Sequence, residues 1–235
     1  MKGLLYKEFL LYRGYALVML WVYAMISALC IGMPVIGIKG DELMVMLTLC
    51  YWMIFTFVGA LTSELFRKDE RQSWNSFVTS LPGTAKSAVQ CKYYTMLMIH
   101  LVTLFGLFVL DSIVVGVAND LACSALIAVV MIFCWRIFMN AIELPFILRF
   151  GYVSGMWVKG TVLLIILTGV VVYGLFGDIS FFVEGNVLQK IKEFFLNGNT
   201  IWILALFPYI TVGAYYLSYR ISLKLYQKGA ENYEQ

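Results

Sequence analysis

Six long apolar runs divide this chain, and they leave few folds open to it. They cover about residues 15–38, 43–63, 93–117, 121–148, 157–176 and 200–219. Each reaches the roughly 20 residues that a helix needs to cross a bilayer core of about 30 Å. In hydrocarbon every backbone N–H and C=O must be satisfied within the segment, so the runs are expected as helices. Composition agrees. Hydrophobic residues make up 62% of the chain and charged residues 13%, against about 45–50% and 25% in soluble domains. A water-soluble fold of this size has no place to put that much apolar surface. The net charge of +3 comes with no basic stripe or nucleic-acid motif, which excludes a nucleic-acid binder. The expectation is an all-α integral membrane protein forming one transmembrane domain over 1–235.

The loops orient the spans. Thirteen Lys and Arg fall in the N-terminus, the segments 64–92 and 149–159, and the tail from Arg220, against three (Lys39, Lys190 and Lys192) in the alternate loops. Arg136 is left inside a span. By the positive-inside rule both termini should be cytoplasmic, in a plasma (inner) membrane. The apolar N-terminal run is too long for a cleavable signal and reads as a retained first span. Of five cysteines only Cys91 lies outside an apolar run, and no two share a CxxC spacing, so they read as inert thiols.

Three segments outside the spans carry apolar stripes. Met1–Arg13 interleaves Lys2, Lys7, Glu8 and Arg13 with five Leu and Phe residues. It reads either as an interfacial amphipathic helix or as the charged flank of the first span. In the loop 64–92 the cluster Arg67-Lys68-Asp69-Glu70-Arg71 precedes Trp74, Phe77, Val78 and Leu81, which repeat at helical spacing until Pro82-Gly83. Between the last two spans, Asn186 and Gln189 resemble a capping box. Val187, Leu188, Ile191, Phe194 and Phe195 line one face of the helix that would follow, an external amphipathic element.

Chemistry of the chain's own is missing. Gly83-Thr84-Ala85-Lys86-Ser87 lacks the six-residue phosphate loop, HExxH is absent, and His100 is the one histidine. An intramembrane serine protease would need Ser and His together, whereas Ser154 falls in a turn and His100 in a span. No cofactor or metal site is expected. Polar residues within spans are costly and each asks for a reason. Asp111 lies about 9 Å from the outer end of the third span, and Arg136 about 22 Å from that of the fourth, so the two should not pair. Arg136, Asn140 and Glu143 share one helical face. That face points into the bundle or a wet cavity, or else Arg136 snorkels to the inner headgroups. His100 reads as a neutral, hydrogen-bonded residue of the bundle.

The segment 69–94, DERQSWNSFVTSLPGTAKSAVQCKYY, resembles the first cytoplasmic loop of type-2 ABC exporter permeases. There a charge cluster, an aromatic-apolar helix, a Leu-Pro and a Lys-Tyr opening the next span follow in this order. MKGLLYKEFLL at the start and ELPFILRFGY at 143–152 are similar to small bacterial members, and Gly83 departs from the bulkier residue usual there. The resemblance implies a six-helix subunit that works as a dimer, homo- or heteromeric. It implies a separate ATP-binding subunit that holds ATP and Mg and docks on a cytoplasmic coupling helix, formed here by Trp74, Phe77, Val78, Leu81 and Pro82 with Arg67, Lys68 and Arg71 beside it. It implies export of drugs or antimicrobial peptides, or of amphipathic peptides of the phenol-soluble-modulin type. The alternatives are a dimeric secondary transporter or carrier, and, further off, an intramembrane enzyme.

Overall fold

The computed structural model describes residues 2–71, 84–120, 123–176 and 198–231. Six helices account for nearly all of them: α1 Lys2–Val35, α2 Gly40–Arg71, α3 Thr84–Ala118, α4 Leu126–Phe150, α5 Tyr152–Phe176 and α6 Gly198–Glu231. By length and composition five of these can cross a membrane, at Gly3–Val35, Gly40–Glu70, Lys86–Ala118, Leu126–Phe150 and Tyr152–Gly169. The sixth, α6, is 34 residues long.

Short connections with special backbone geometry reverse the chain between neighbours. Beyond α1 the Gly37 N–H bonds the Pro34 carbonyl (3.2 Å) and the Ile38 N–H bonds that of Met33 (3.2 Å). Gly37 and Gly40 hold φ of 101° and 64°, values open to glycine without a steric penalty. Asp41 and Glu42 in the first turn of α2 complement the positive end of its dipole. Asn119, at φ 52°, ends α3, a position Asn tolerates better than most residues. Between α4 and α5 the reversal takes the single residue Gly151, at φ 89°. A Cβ there would stand 2.6 Å from Glu70 Oε1, and Glu70 Oε2 accepts from the Tyr152 N–H at 2.9 Å. A side chain from α2 thus caps α5, satisfying an amide that a helix start leaves orphaned.

The packing is uneven. α4 is the hub, touching α2, α3, α5 and α6, whereas α1 lies mainly against α2 and α3. One core, with Leu47, Tyr51, Phe55, Leu107 and Val129, joins the first four helices. A second, with Phe66, Val89, Tyr93, Leu144 and Ile147, is packed against α6. In it the Tyr93 ring meets Tyr215 and Tyr219 edge-on, at 5.2 and 5.6 Å, and its hydroxyl bonds Ser218 and Ser222, each at 2.7 Å. α1 and α5 leave all but 6% of their most apolar windows uncovered, as expected of helices solvated by hydrocarbon.

Several sequence expectations change here. Of the two readings of the N-terminal segment, the structure shows the flank of the first span and not a separate interfacial helix: α1 continues through Arg13 and Gly14 without a break, with Lys7 and Glu8 partnered inside the bundle. α2 extends to Arg71, so the charge cluster 67–71 is helical rather than loop. α3 starts at Thr84 and α4 at Leu126. Arg136 is therefore ten residues from the start of its helix, about 15 Å rather than 22 Å. The stripe Trp74, Phe77, Val78, Leu81 and Pro82, and the external stripe Val187, Leu188, Ile191, Phe194 and Phe195, lie outside the described residues.

Candidate functional site

Two clusters of polar side chains are built into the bundle, one at its end and one at its middle. The first gathers at the end that carries the N-terminus and the base of the 72–83 segment. Asp69, 1% exposed, accepts from both Lys7 and Lys92. Glu8 completes a quartet, with Oε1 at 3.2 Å from Lys7 Nζ and 3.7 Å from Lys92 Nζ. The Lys92 ammonium also stands 4.6 Å from the centre of the Phe66 ring. Two cations and two anions from three helices thus neutralise one another out of water. Such pairing is what allows buried charge at all.

Three neighbours of Asp69 have partners as well: Arg67 pairs with Glu64 one turn away, the Lys68 ammonium lies 4.3 Å from the centre of the Tyr15 ring, and Glu70 caps α5. The base of the 72–83 segment is therefore clasped to α1, α3 and α5. A force applied to that segment would reach four helices through short polar links. Sequence inspection missed this clasp, because its members are 62 and 23 residues apart in the chain.

The second cluster is the polar face of α4. Arg136, Asn140 and Glu143 are all buried, at 7, 2 and 3% exposure. Glu143 accepts from Ser63 Oγ of α2 (3.1 Å) and faces Lys159 Nζ of α5 (3.6 Å). The Arg136 guanidinium lies on Gly59 of α2, where any Cβ would overlap it. The Thr62 hydroxyl donates to the Gly59 carbonyl at 2.9 Å, and the single Ser63 hydroxyl proton lies between that carbonyl (2.9 Å) and Glu143 Oε1 (3.1 Å). Arg136 is thus turned into the bundle against α2. Its Nε and Nη2, Asn140 Nδ2 and His100 Nε2 meet no hydrogen-bond partner among the described residues. His100 is held instead through Nδ1, at 2.8 Å from the Met96 carbonyl. Unsatisfied buried donors cost about 1–3 kcal/mol each, more when charged.

Asp111 belongs to neither cluster. It binds the Tyr51 hydroxyl (3.1 Å), Ser124 Oγ (2.8 Å) and the Ala125 N–H (3.1 Å), and so anchors the entry to α4. It is not paired with Arg136.

The chain is thus a helical membrane bundle with a clasped loop base and a strained polar face, and the described residues show no grouping of three or more His, Cys, Asp or Glu side chains able to hold a metal. No curated protein and no solved structure is similar enough to match. Residues 3–227, almost the whole chain, match the family model described as ABC-2 family transporter protein. The chain belongs to the ABC-2 family of transporter proteins, as a multi-pass membrane subunit of an ABC transporter.

Proposed function

We propose that this subunit exports its substrate, works as a dimer, and is driven by a separate ATPase that binds ATP and Mg and docks on the stripe Trp74, Phe77, Val78 and Leu81. The termini and that stripe face the cytoplasm, and the substrate is an amphipathic or antimicrobial peptide or a drug. The observation that carries this reading is the clasp around Asp69. A rigid polar connection from the base of one loop to several spans is what a subunit needs if motion enters through that loop. The chain has no phosphate loop, so the motion must come from outside it.

The face of α4 supplies the path. Donors left without acceptors are poor for stability, and their retention is explained if Arg136 and Asn140 meet an acceptor during the transport cycle. Arg136→Leu separates the two roles. A buried guanidinium with two nitrogens unsatisfied carries a desolvation cost that leucine does not, so the variant should fold at least as well as wild type. It should nevertheless lose transport and transport-coupled ATP turnover. The test is to co-express wild type and Arg136→Leu with the ATP-binding subunit, purify the complexes and measure both activities in proteoliposomes. An abundant, fully active Arg136→Leu complex would remove α4 from the path. A wild-type chain that transports with no ATPase present would remove the reading itself.

A further inference from the structure

Along α1 the bundle is open. A cleft of about 880 Å³ runs between α1, α2 and α3. On α1 it is lined from Leu5 to Tyr23, eighteen residues or about 27 Å. The part from Tyr12 to Tyr23 spans about 16 Å, close to half of a 30 Å hydrocarbon core. Its floor is made by Ile54 and Val58 of α2 and Ile99 of α3, and Met98 and Val102 form the facing wall. The exposed lining residues are apolar, with Phe9 and Leu20 on the α1 side and Met98 and Val102 on the α3 side. The cleft therefore opens onto lipid.

Three hydroxyls of its wall are already engaged. The Tyr12 hydroxyl is on Met19 Sδ, the Tyr23 hydroxyl donates to the Gly106 carbonyl at 2.6 Å, and Thr103 Oγ1 donates to the Ile99 carbonyl at 2.9 Å. A water needs two to four polar partners, and apolar cavities stay dry and take apolar molecules. Two cations flank the lining residues Tyr12 and Ala16 of α1: Arg13, exposed and between them in the chain, and Lys68 of α2, whose ammonium lies over the ring of Tyr15, the residue before Ala16. Basic side chains at this depth favour a phosphate-bearing headgroup.

We infer that the cleft between α1 and α3 is a lipid site, holding an acyl chain of a bilayer phospholipid whose phosphate lies near Arg13 and Lys68. The lipid replaces the packing that α1 lacks and holds this helix to the bundle. The wall residues Val58 and Ile99 precede Gly59 and His100 in sequence, so the lipid sits one layer outside the polar face of α4.

The test is photolabelling of the full chain in vesicles of phosphatidylglycerol and phosphatidylcholine carrying a diazirine in one acyl chain. The labelled peptides are then mapped. The expected result is label concentrated on 9–23 and 95–106 over the equally apolar 163–167 of α5, with phospholipid retained through detergent washing. Ala16→Phe fills the cleft. Denying burial to even two methylenes costs about tenfold in retention, so this variant should lose lipid while its unfolding temperature stays measurable. Thr103→Phe, from the opposite wall, should do the same, and Arg13→Gln should lower retention about fivefold. Label spread evenly over α1, α3 and α5 would overturn the inference, and this outcome needs no variant. Displacement of the label by a transported amphiphile would make the cleft a substrate bay, and protection by a second copy would make it an interface. Either result would also overturn it.

Discussion

Asp69→Ala should destabilise the folded protein by about 3–5 kcal/mol, the usual cost of removing one partner from a buried ion pair. The carboxylate is shared by Lys7 and Lys92. Without it, the buried Lys92 ammonium is left facing Glu8, which is 3.7 Å away. Lys92 cannot relax into water, since its side chain is 7% exposed. Lys92→Met alone should also destabilise, by leaving the buried Asp69 with Lys7 as its one remaining cation in the quartet. The two changes together should cost less than their sum, because the double variant removes both halves of the problem. The measurement is unfolding in detergent for wild type, both single variants and the double. Coupling in contacting pairs runs at about 0.5–3 kcal/mol. Additivity within about 0.5 kcal/mol would mean that the quartet is not a unit, and the clasp would lose its place in the account.

Trp74→Ala with Phe77→Ala should abolish capture of the ATPase while leaving the chain in the membrane. Aromatic anchors at protein interfaces cost about 2 kcal/mol or more on truncation, roughly 30-fold in affinity for each. Both positions follow the end of α2 at Arg71, outside the five apolar helices, so insertion does not depend on them. Charge reversal at Arg67 or Lys68 should act differently, slowing association and steepening its salt dependence more than it lowers affinity. Capture is read by tag pull-down with the ATP-binding subunit, and insertion by membrane fractionation. If the stripe only anchors in the headgroups, where Trp is also common, capture will be normal in the double variant.

How much of this was legible in the sequence depends on the range of the interaction. The helical runs and the shared face of Arg136, Asn140 and Glu143 are local properties of hydropathy and helical period. The mismatch between Asp111 and Arg136 was readable from depth along the chain, although the start of α4 was set five residues early. There Leu121–Ala125 is apolar enough to extend the run, but Asp111 holds Ser124 and the Ala125 amide in place at the helix entry. For Met1–Arg13 the sequence left two readings open, and α1 runs on as the flank of the first span. What decides between them, Asp69 and Lys92 brought to Lys7 and Glu8 from two other helices, is not local. Nor was the seat of Arg136 on Gly59 readable, because a glycine in a helical run carries no mark of what lies against it. The cleft along α1 is likewise a property of three helices at once.

The central claim is that work enters this subunit through the segment after α2, from a separate ATPase. Site-specific photocrosslinking in intact membranes tests it most directly. A photoreactive residue is placed at Phe77 and, as a control, at the exposed, apolar Leu206 of α6, with the ATP-binding subunit co-expressed. The account predicts an adduct of this chain with the ATPase from position 77, altered in yield by ATP, and none from position 206. Equal adducts from both positions, or no ATPase adduct from 74, 77, 78 or 81 in a complex that still transports, would contradict it.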